Sequence, residues 1–188
     1  KMVHQKVLQR STPYHIPHST KIAGFSVILG GDDRFYNNIF IGRDTIKGIV
    51  YGNISNEGVG TGHYNGYTTS MDEYLEKVHQ KPGDVEIFMN TDQPVSINNN
   101  VYLNGAVPFE RENENIVDEK FNPEFSIIEE GDEVYLTCNL LEDFEKIQGE
   151  IKGTKTLNKV RLTDADFENP DGSDLILDTD YLGELRVE

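Results

Sequence analysis

A single cysteine, Cys138, is all the chain has, so no internal disulfide can staple it. That fits a reducing compartment such as the cytoplasm. Basic residues are also scarce: 17 Lys and Arg stand against 33 Asp and Glu, a net charge of −16. Phosphate backbones are bound by clustered Lys and Arg, so nucleic acid is excluded as a partner. The same field repels anionic membranes and acidic polysaccharides such as pectin, leaving a neutral ligand or a cation as the easier partner. No run approaches the roughly 18 apolar residues of a membrane span. The amino end, Lys1-Met2-Val3-His4-Gln5-Lys6, lacks the apolar core of a secretory signal, and a lysine ahead of the methionine suggests that residue 1 is not a natural start. There is no Gly-x-Ser-x-Gly elbow, no P-loop and no dinucleotide fingerprint. His15 and His18 are three apart, with no third ligand at zinc spacing. Neither cofactor nor metal is expected.

What the chain does have is a phrase used twice. Asn37-Asn38-Ile39-Phe40-Ile41 returns 62 residues later as Asn99-Asn100-Val101-Tyr102-Leu103, with Gly42 and Gly105 closing the copies. Asparagine tolerates the left-handed backbone of a tight corner. Its side chain can also stack on an equivalent asparagine of a neighbouring coil. Two asparagines before each short strand therefore point to coils of a parallel β-solenoid. The plainer alternative is two ordinary strands that happen to share turn residues.

Short β-branched and aromatic runs surround the phrase: Lys21–Leu29, Arg34–Ile41, Lys47–Tyr51, Val85–Met89 and Val95–Leu103. A loop and helix insertion at 53–84 interrupts them. Its helix is expected to begin at Ser70, which has Glu73 at capping-box spacing. Met71, Tyr74, Leu75 and Val78 form the helix's apolar stripe, and Lys81-Pro82-Gly83 stops it. The fold expected is all-β: partial parallel β-helix coils over 1–106 and a β-sandwich-like region over 107–188. In the second region Val134–Leu140 alternates as a half-buried strand should. Glu124–Ile128, Lys159–Leu162 and Leu175–Asp178 are further strand candidates. The acidic runs Glu110–Glu119 and Glu129–Glu133 read as solvated faces.

The candidate chemistry is carboxylate chemistry. Asp32-Asp33 beside Arg34 is either a turn with a structural pair or a carboxylate held ionised for nucleophilic or electrostatic work. His18, in the polar stretch Thr12–Thr20, can face the same groove on a coil. Glu57 is a lone acid in a stretch of glycine, asparagine and tyrosine. Packing against Tyr64 or Tyr67 would raise its pKa, as suits a general acid; the alternative is a surface glutamate. An ionised aspartate and such a glutamate make the two-carboxylate pair of glycoside hydrolysis, and neutral sugars suit the acidic surface. The run Asn169–Asp174 with Asp178 and Asp180 could hold calcium, but turn and strand-cap roles are the stronger reading.

Pro17-His18-Ser19-Thr20, Gly30-Gly31-Asp32-Asp33-Arg34-Phe35-Tyr36-Asn37-Asn38 and Asn99–Ala106 resemble the carboxy-terminal part of right-handed parallel β-helix glycosidases, the β-xylosidases of glycoside hydrolase family 120. Phe167–Gly172 and Asp178–Tyr181 are similar to a segment near the end of such chains. The resemblance implies a β-helix with a β-sandwich and release of xylose from xylo-oligosaccharides with retention. It implies an aspartate nucleophile, Asp32 or Asp33 with Asp33 preferred by spacing, and Glu57 as acid/base. His18 and Arg34 would orient the sugar or the aspartate. Whole members are far longer, so the chain is expected to be a piece that works with the remainder of a longer polypeptide or as a homo-oligomer. A non-catalytic carbohydrate-binding or adhesion module, with Tyr64 and Tyr67 as its sugar platform, is the alternative. A β-rich domain that serves only assembly is a third.

Overall fold

The computed structural model describes residues 11–16, 18–27, 32–42, 59–80, 91–139, 149–161, 164–180 and 182–186. Glu57, the expected strands Lys47–Tyr51 and Val85–Met89, and the helix stop at Lys81-Pro82-Gly83 lie outside them. Among the described residues the regular elements are mostly strands, with little helix. The elements are β1 (Ser11–His15), β2 (Ile22–Val27), β3 (Arg34–Tyr36), β4 (Ile39–Ile41), α1 (Met71–His79), β5 (Ser96–Asn98), β6 (Val101–Leu103), β7 (Ile116–Asp118), β8 (Phe125–Glu130) and β9 (Glu133–Cys138).

The run expected over Arg34–Ile41 is two strands, β3 and β4, broken where Asn37 takes φ 58°. Val95–Leu103 breaks the same way into β5 and β6 at Asn99, φ 55°. β3 pairs with β5 in a two-stranded sheet. β4 and β6 run parallel with Ile39 opposite Val101 and Ile41 opposite Leu103, so the two copies of the phrase lie side by side in register. The expected side-chain stacking is present. Asn99 Nδ2 donates to Asn37 Oδ1 at 2.7 Å, and Asn38 Nδ2 donates to Asn100 Oδ1 at 3.0 Å. Phe40 stacks on Tyr102 with ring centroids 5.2 Å apart. The register makes Asn104, not Gly105, the partner position of Gly42. A Cβ on Gly42 would stand 2.1 Å from Asn104 O, so only glycine lets the strand ends approach this closely.

A third strand was not legible as part of this series. β7 pairs parallel to β6 with Ile116 opposite Val101. The corner before it is Glu114, φ 56°, at the place of Asn37 and Asn99. The boundary expected at residue 106 therefore falls between two paired strands. A glutamate in the left-handed region is strained by about 1 kcal/mol. Glu114→Asn should raise stability by roughly 0.5–1 kcal/mol, read as a higher urea midpoint at unchanged slope.

The chain divides into two compact units, each assembled from separate stretches. The first holds residues 35–66 and 97–148. Its core is Tyr64, Ile97, Val101, Tyr102, Leu103, Ala106 and Phe109, with buried Thr61 and Asn100. Glu112, in a run expected to be a solvated face, turns inward instead. It accepts from Asn100 N at 3.0 Å, Asn100 Nδ2 at 2.7 Å and the Tyr102 hydroxyl at 2.5 Å. Tyr102 has no exposure, and burial together with the Glu112 contact pushes its phenol above the ordinary tyrosine range.

β8 and β9 form an antiparallel hairpin across Gly131, φ 67°. The alternation of β9 predicts one buried face, but Val134 and Leu136 are 69% and 65% exposed. The hairpin is a two-stranded ribbon, and no second sheet packs on it to make a sandwich among the described residues. Alternation reports which residues share a face, not whether anything covers that face.

The second unit holds residues 6–34, 67–96 and 149–188. β1 and β2 form an antiparallel hairpin closed by Ile16 N donating to Lys21 O at 3.0 Å. α1 begins as its sequence predicts, with Glu73 N donating to Ser70 Oγ at 3.2 Å. The Glu73 carboxylate reaches back to Thr69 N at 3.1 Å. Of the expected stripe, Tyr74 and Val78 are buried while Met71 and Leu75 are 40% exposed, so the buried face is narrower than the apolar one. Among the described residues of the expected strands Lys159–Leu162 and Leu175–Asp178, Val160 bridges Ala165 and Ile176 bridges Gly153, isolated bridges rather than strands.

Candidate functional site

Asp32-Asp33-Arg34 lies in the second unit, with Arg34 opening β3. Asp32 occupies the left-handed region at φ 50°, and both its carboxylate oxygens are engaged. Arg34 Nη1 stands 3.1 Å from Oδ1, and Arg161 N donates to Oδ2 at 3.0 Å. Arg34 is fixed on every side. Nε donates to Leu157 O at 3.0 Å, Nη1 to Asp32 O at 2.9 Å and Nη2 to Lys159 O at 2.9 Å. Its guanidinium lies 4.7 Å from the centroid of the Phe167 ring. The contacts of Asp32 and Arg34 are those a structural pair makes: a planar fork binds diverging carbonyls and stacks on an aromatic face, and a turn carboxylate neutralises it. Arg34→Lys leaves carbonyls unpaired, because the three donors of an ammonium radiate from one atom and cannot reach carbonyls spread around three guanidinium nitrogens. A loss of about 3 kcal/mol in thermal or urea unfolding is expected.

Asp33 faces different neighbours. Its carbonyl accepts from Ser96 N at 2.9 Å. The next links lead to Asp92: Val95 N donates to Thr68 O at 3.0 Å, and Thr68 Oγ1 donates to Asp92 O at 3.3 Å. Tyr67, beside Thr68, hydrogen-bonds through its hydroxyl to the Asp92 carboxylate, and the charge of Asp33 also acts on it. Burial first, then Asp92, then Asp33 hold the Tyr67 phenol well above the ordinary tyrosine range. It stays protonated, a hydrogen-bond donor, at any physiological pH.

Arg161 stacks over Tyr74 with its guanidinium carbon 5.0 Å from the ring centroid. Burial lowers its pKa, and the nearby Asp32 charge opposes that shift.

The other expected site residues are dispersed or committed elsewhere. His18, φ 54° in the hairpin turn, pairs through Nε2 with Glu168 Oε1 at 2.7 Å. Adjacent residues Phe167 and Glu168 thus engage Arg34 and His18. Tyr64 belongs to the first unit, with its ring centroid 5.7 Å from Phe35 and 4.1 Å from His63. Tyr64 and Tyr67 are each 3% exposed, so neither offers the open ring face that a sugar platform needs. In the suggested calcium run, Asp171 instead closes a turn by accepting from Ser173 N at 3.0 Å and Ser173 Oγ at 2.7 Å. Those bonds lower its pKa. Asp180 likewise accepts from Leu182 N and Glu184 N, both at 2.9 Å.

Sequence reasoning missed Asp92. Its setting, Asn90-Thr91-Asp92-Gln93-Pro94, is a turn signal between two strand-like runs, and nothing in it announces a tyrosine partner. It also missed the grip of Phe167 and Glu168, which follows from the distant folding back of residues 149–188.

No family model matches the chain, and no curated protein matches it. Among solved structures the chain is similar to XylC in complex with xylose, at 54% identity and a TM-score of 0.83. The match covers 98% of this chain and 27% of that one, so the chain spans about a quarter of the XylC polypeptide. At this identity the chain shares the fold of the matched part of XylC.

Proposed function

We propose that the chain is part of a retaining glycosidase acting on neutral xylo-oligosaccharides. The observation that carries this is the 54% identity, over 98% of the chain, to a protein solved with xylose. The reading is supported independently by a net charge of −16, which suits a neutral sugar over a polyanion. We further propose that β4, β6 and β7 are successive coils of a right-handed parallel β-helix. Their parallel register and asparagine stacking support it.

In this reading Asp33 attacks the anomeric carbon. The nucleophile was open between Asp32 and Asp33. Asp33 is preferred by its spacing to Glu57, while Arg34 and Arg161 hold the two oxygens of Asp32. Arg34 and Asp32 serve as the brace of the turn. Glu57 protonates the leaving oxygen and then activates the water that releases the sugar, with carboxyl groups roughly 5–5.5 Å apart for retention. Substrate is carbohydrate, and the work is done together with the remainder of a longer chain or as a homo-oligomer.

The test is hydrolysis of an aryl β-xyloside by the full-length protein, with the first-formed sugar followed by NMR. Release of β-xylose supports the reading. Release of α-xylose overturns retention, and sugar binding without turnover overturns the enzyme. The binding-module alternative has lost its platform, since Tyr64 and Tyr67 are buried.

A further inference from the structure

Arg161 serves the Asp32 turn with its backbone alone, its N–H donating to Asp32 Oδ2 at 3.0 Å. The side chain is not used there. Its Nε, Nη1 and Nη2 are all buried, and among the described residues none of them has a hydrogen-bond partner. A guanidinium carries five N–H donors and cannot shed its charge by losing a proton. Buried polar groups are ordinarily paired, and an unpaired buried charge is among the most unfavourable arrangements in a fold. The Tyr74 ring, its centroid 5.0 Å from the guanidinium carbon, presents a π face rather than lone pairs. Asp32, the acid that the Arg161 backbone touches, is committed to that N–H and to Arg34 Nη1, 3.1 Å away. Arg34 in turn uses its donors on Leu157 O, Asp32 O and Lys159 O. Asp32 thus answers Arg34, and the charge of Arg161 is left over in a chain whose net charge is −16.

We propose that the Arg161 guanidinium anchors a carboxylate-binding site beside the Asp32 turn. A carboxylate supplies what the side chain lacks, one negative charge and two acceptor oxygens spaced for a planar fork. The enclosed nitrogens favour a compact ligand, of the size of formate or acetate, over a carboxylate carried on a sugar ring. Bound there, the anion stabilises the folded protein by mass action. The inference does not depend on which residues cleave a sugar.

The experiment follows thermal unfolding of the full-length protein in a carboxylate-free buffer, with sodium formate, acetate or D-glucuronate added at constant ionic strength. The wild-type Tm should climb with the logarithm of formate or acetate concentration, on the order of 2 °C at about a hundredfold excess over Kd. Arg161→Met keeps an unbranched stem against Tyr74 and carries no charge. Without carboxylate it should melt above the wild type, because an unpaired buried charge has been removed. Carboxylate should leave it unmoved, so the gap between the two proteins closes as the concentration rises. Glucuronate sorts the source: a weaker effect than formate points to a free small carboxylate, an equal or stronger one to a sugar-borne carboxylate, and either supports the site. An equal rise in both proteins is a general salt effect and overturns the proposal. So does Arg161→Met melting below the wild type in the carboxylate-free buffer. So, too, does a rise with neutral xylose alone that Arg161→Met loses, which would make the guanidinium a sugar contact. If Arg161→Met does not fold, calorimetric titration of formate into the wild type decides: a saturating one-site heat supports the site, and its absence overturns it.

Discussion

Asp33→Gly in the full-length protein should lose on the order of 10⁴-fold or more in kcat, as removal of a covalent nucleophile does elsewhere. Azide should then enter the vacated space and displace the aryl group in one step. The product is a glycosyl azide of inverted configuration, because one displacement replaces two. Asp32→Asn should behave differently. It weakens the hold on Arg34 and on Arg161 N, so its main effect is on stability, and azide should give it nothing. Glu57→Gln completes the set. Activated aryl leaving groups need little protonation and should still react in the first step, whereas poor leaving groups should not. Equal azide rescue at Asp32 would reverse the assignment within the pair. Failure of rescue at both would remove the aspartate mechanism.

The largest stability effect is expected at Asn100, which has no exposure and binds on every side. Its Oδ1 accepts from Asn38 N at 2.9 Å and Asn38 Nδ2 at 3.0 Å. Its Nδ2 donates to Phe35 O at 2.9 Å and Glu112 Oε1 at 2.7 Å. Asn100→Leu keeps the branched heavy-atom skeleton but leaves Asn38 N, Phe35 O and part of the Glu112 carboxylate without partners. A loss of about 4 kcal/mol follows, a large share of a typical folding free energy. Asn100→Asp should be worse at neutral pH, because it sets a second carboxylate against Glu112 where an amide now donates. Crowding two carboxylates raises the folded-state pKa of the pair above its unfolded value. The deficit is therefore greatest at neutral pH and shrinks as acid protonates one member, turning repulsion into a hydrogen bond. Urea melts at pH 7 and pH 5 would check both signs. A deficit of Asn100→Asp that does not change with pH would refute the contact with Glu112.

The residues themselves carried the parallel register of β4 and β6. An asparagine pair ahead of each strand states both the corner and the stacking partner, because corner backbone and side-chain ladder make the same demand on one residue type. The helix cap was equally local, as Ser70 and Glu73 lie within one turn. Only tertiary structure decided the rest. β7 was hidden because Glu114 replaces the asparagine at its corner, and the left-handed backbone there appears only once the strand is paired. Glu112 looked like surface charge until Asn100 and Tyr102 were folded against it. Tyr64 and Tyr67 read as a platform because sequence gives ring type but not burial. The partners of Asp32 and of Tyr67 lie about 25 to 130 positions away along the chain. Local chemistry sets which groups are present, while long-range packing sets which of them are already bound.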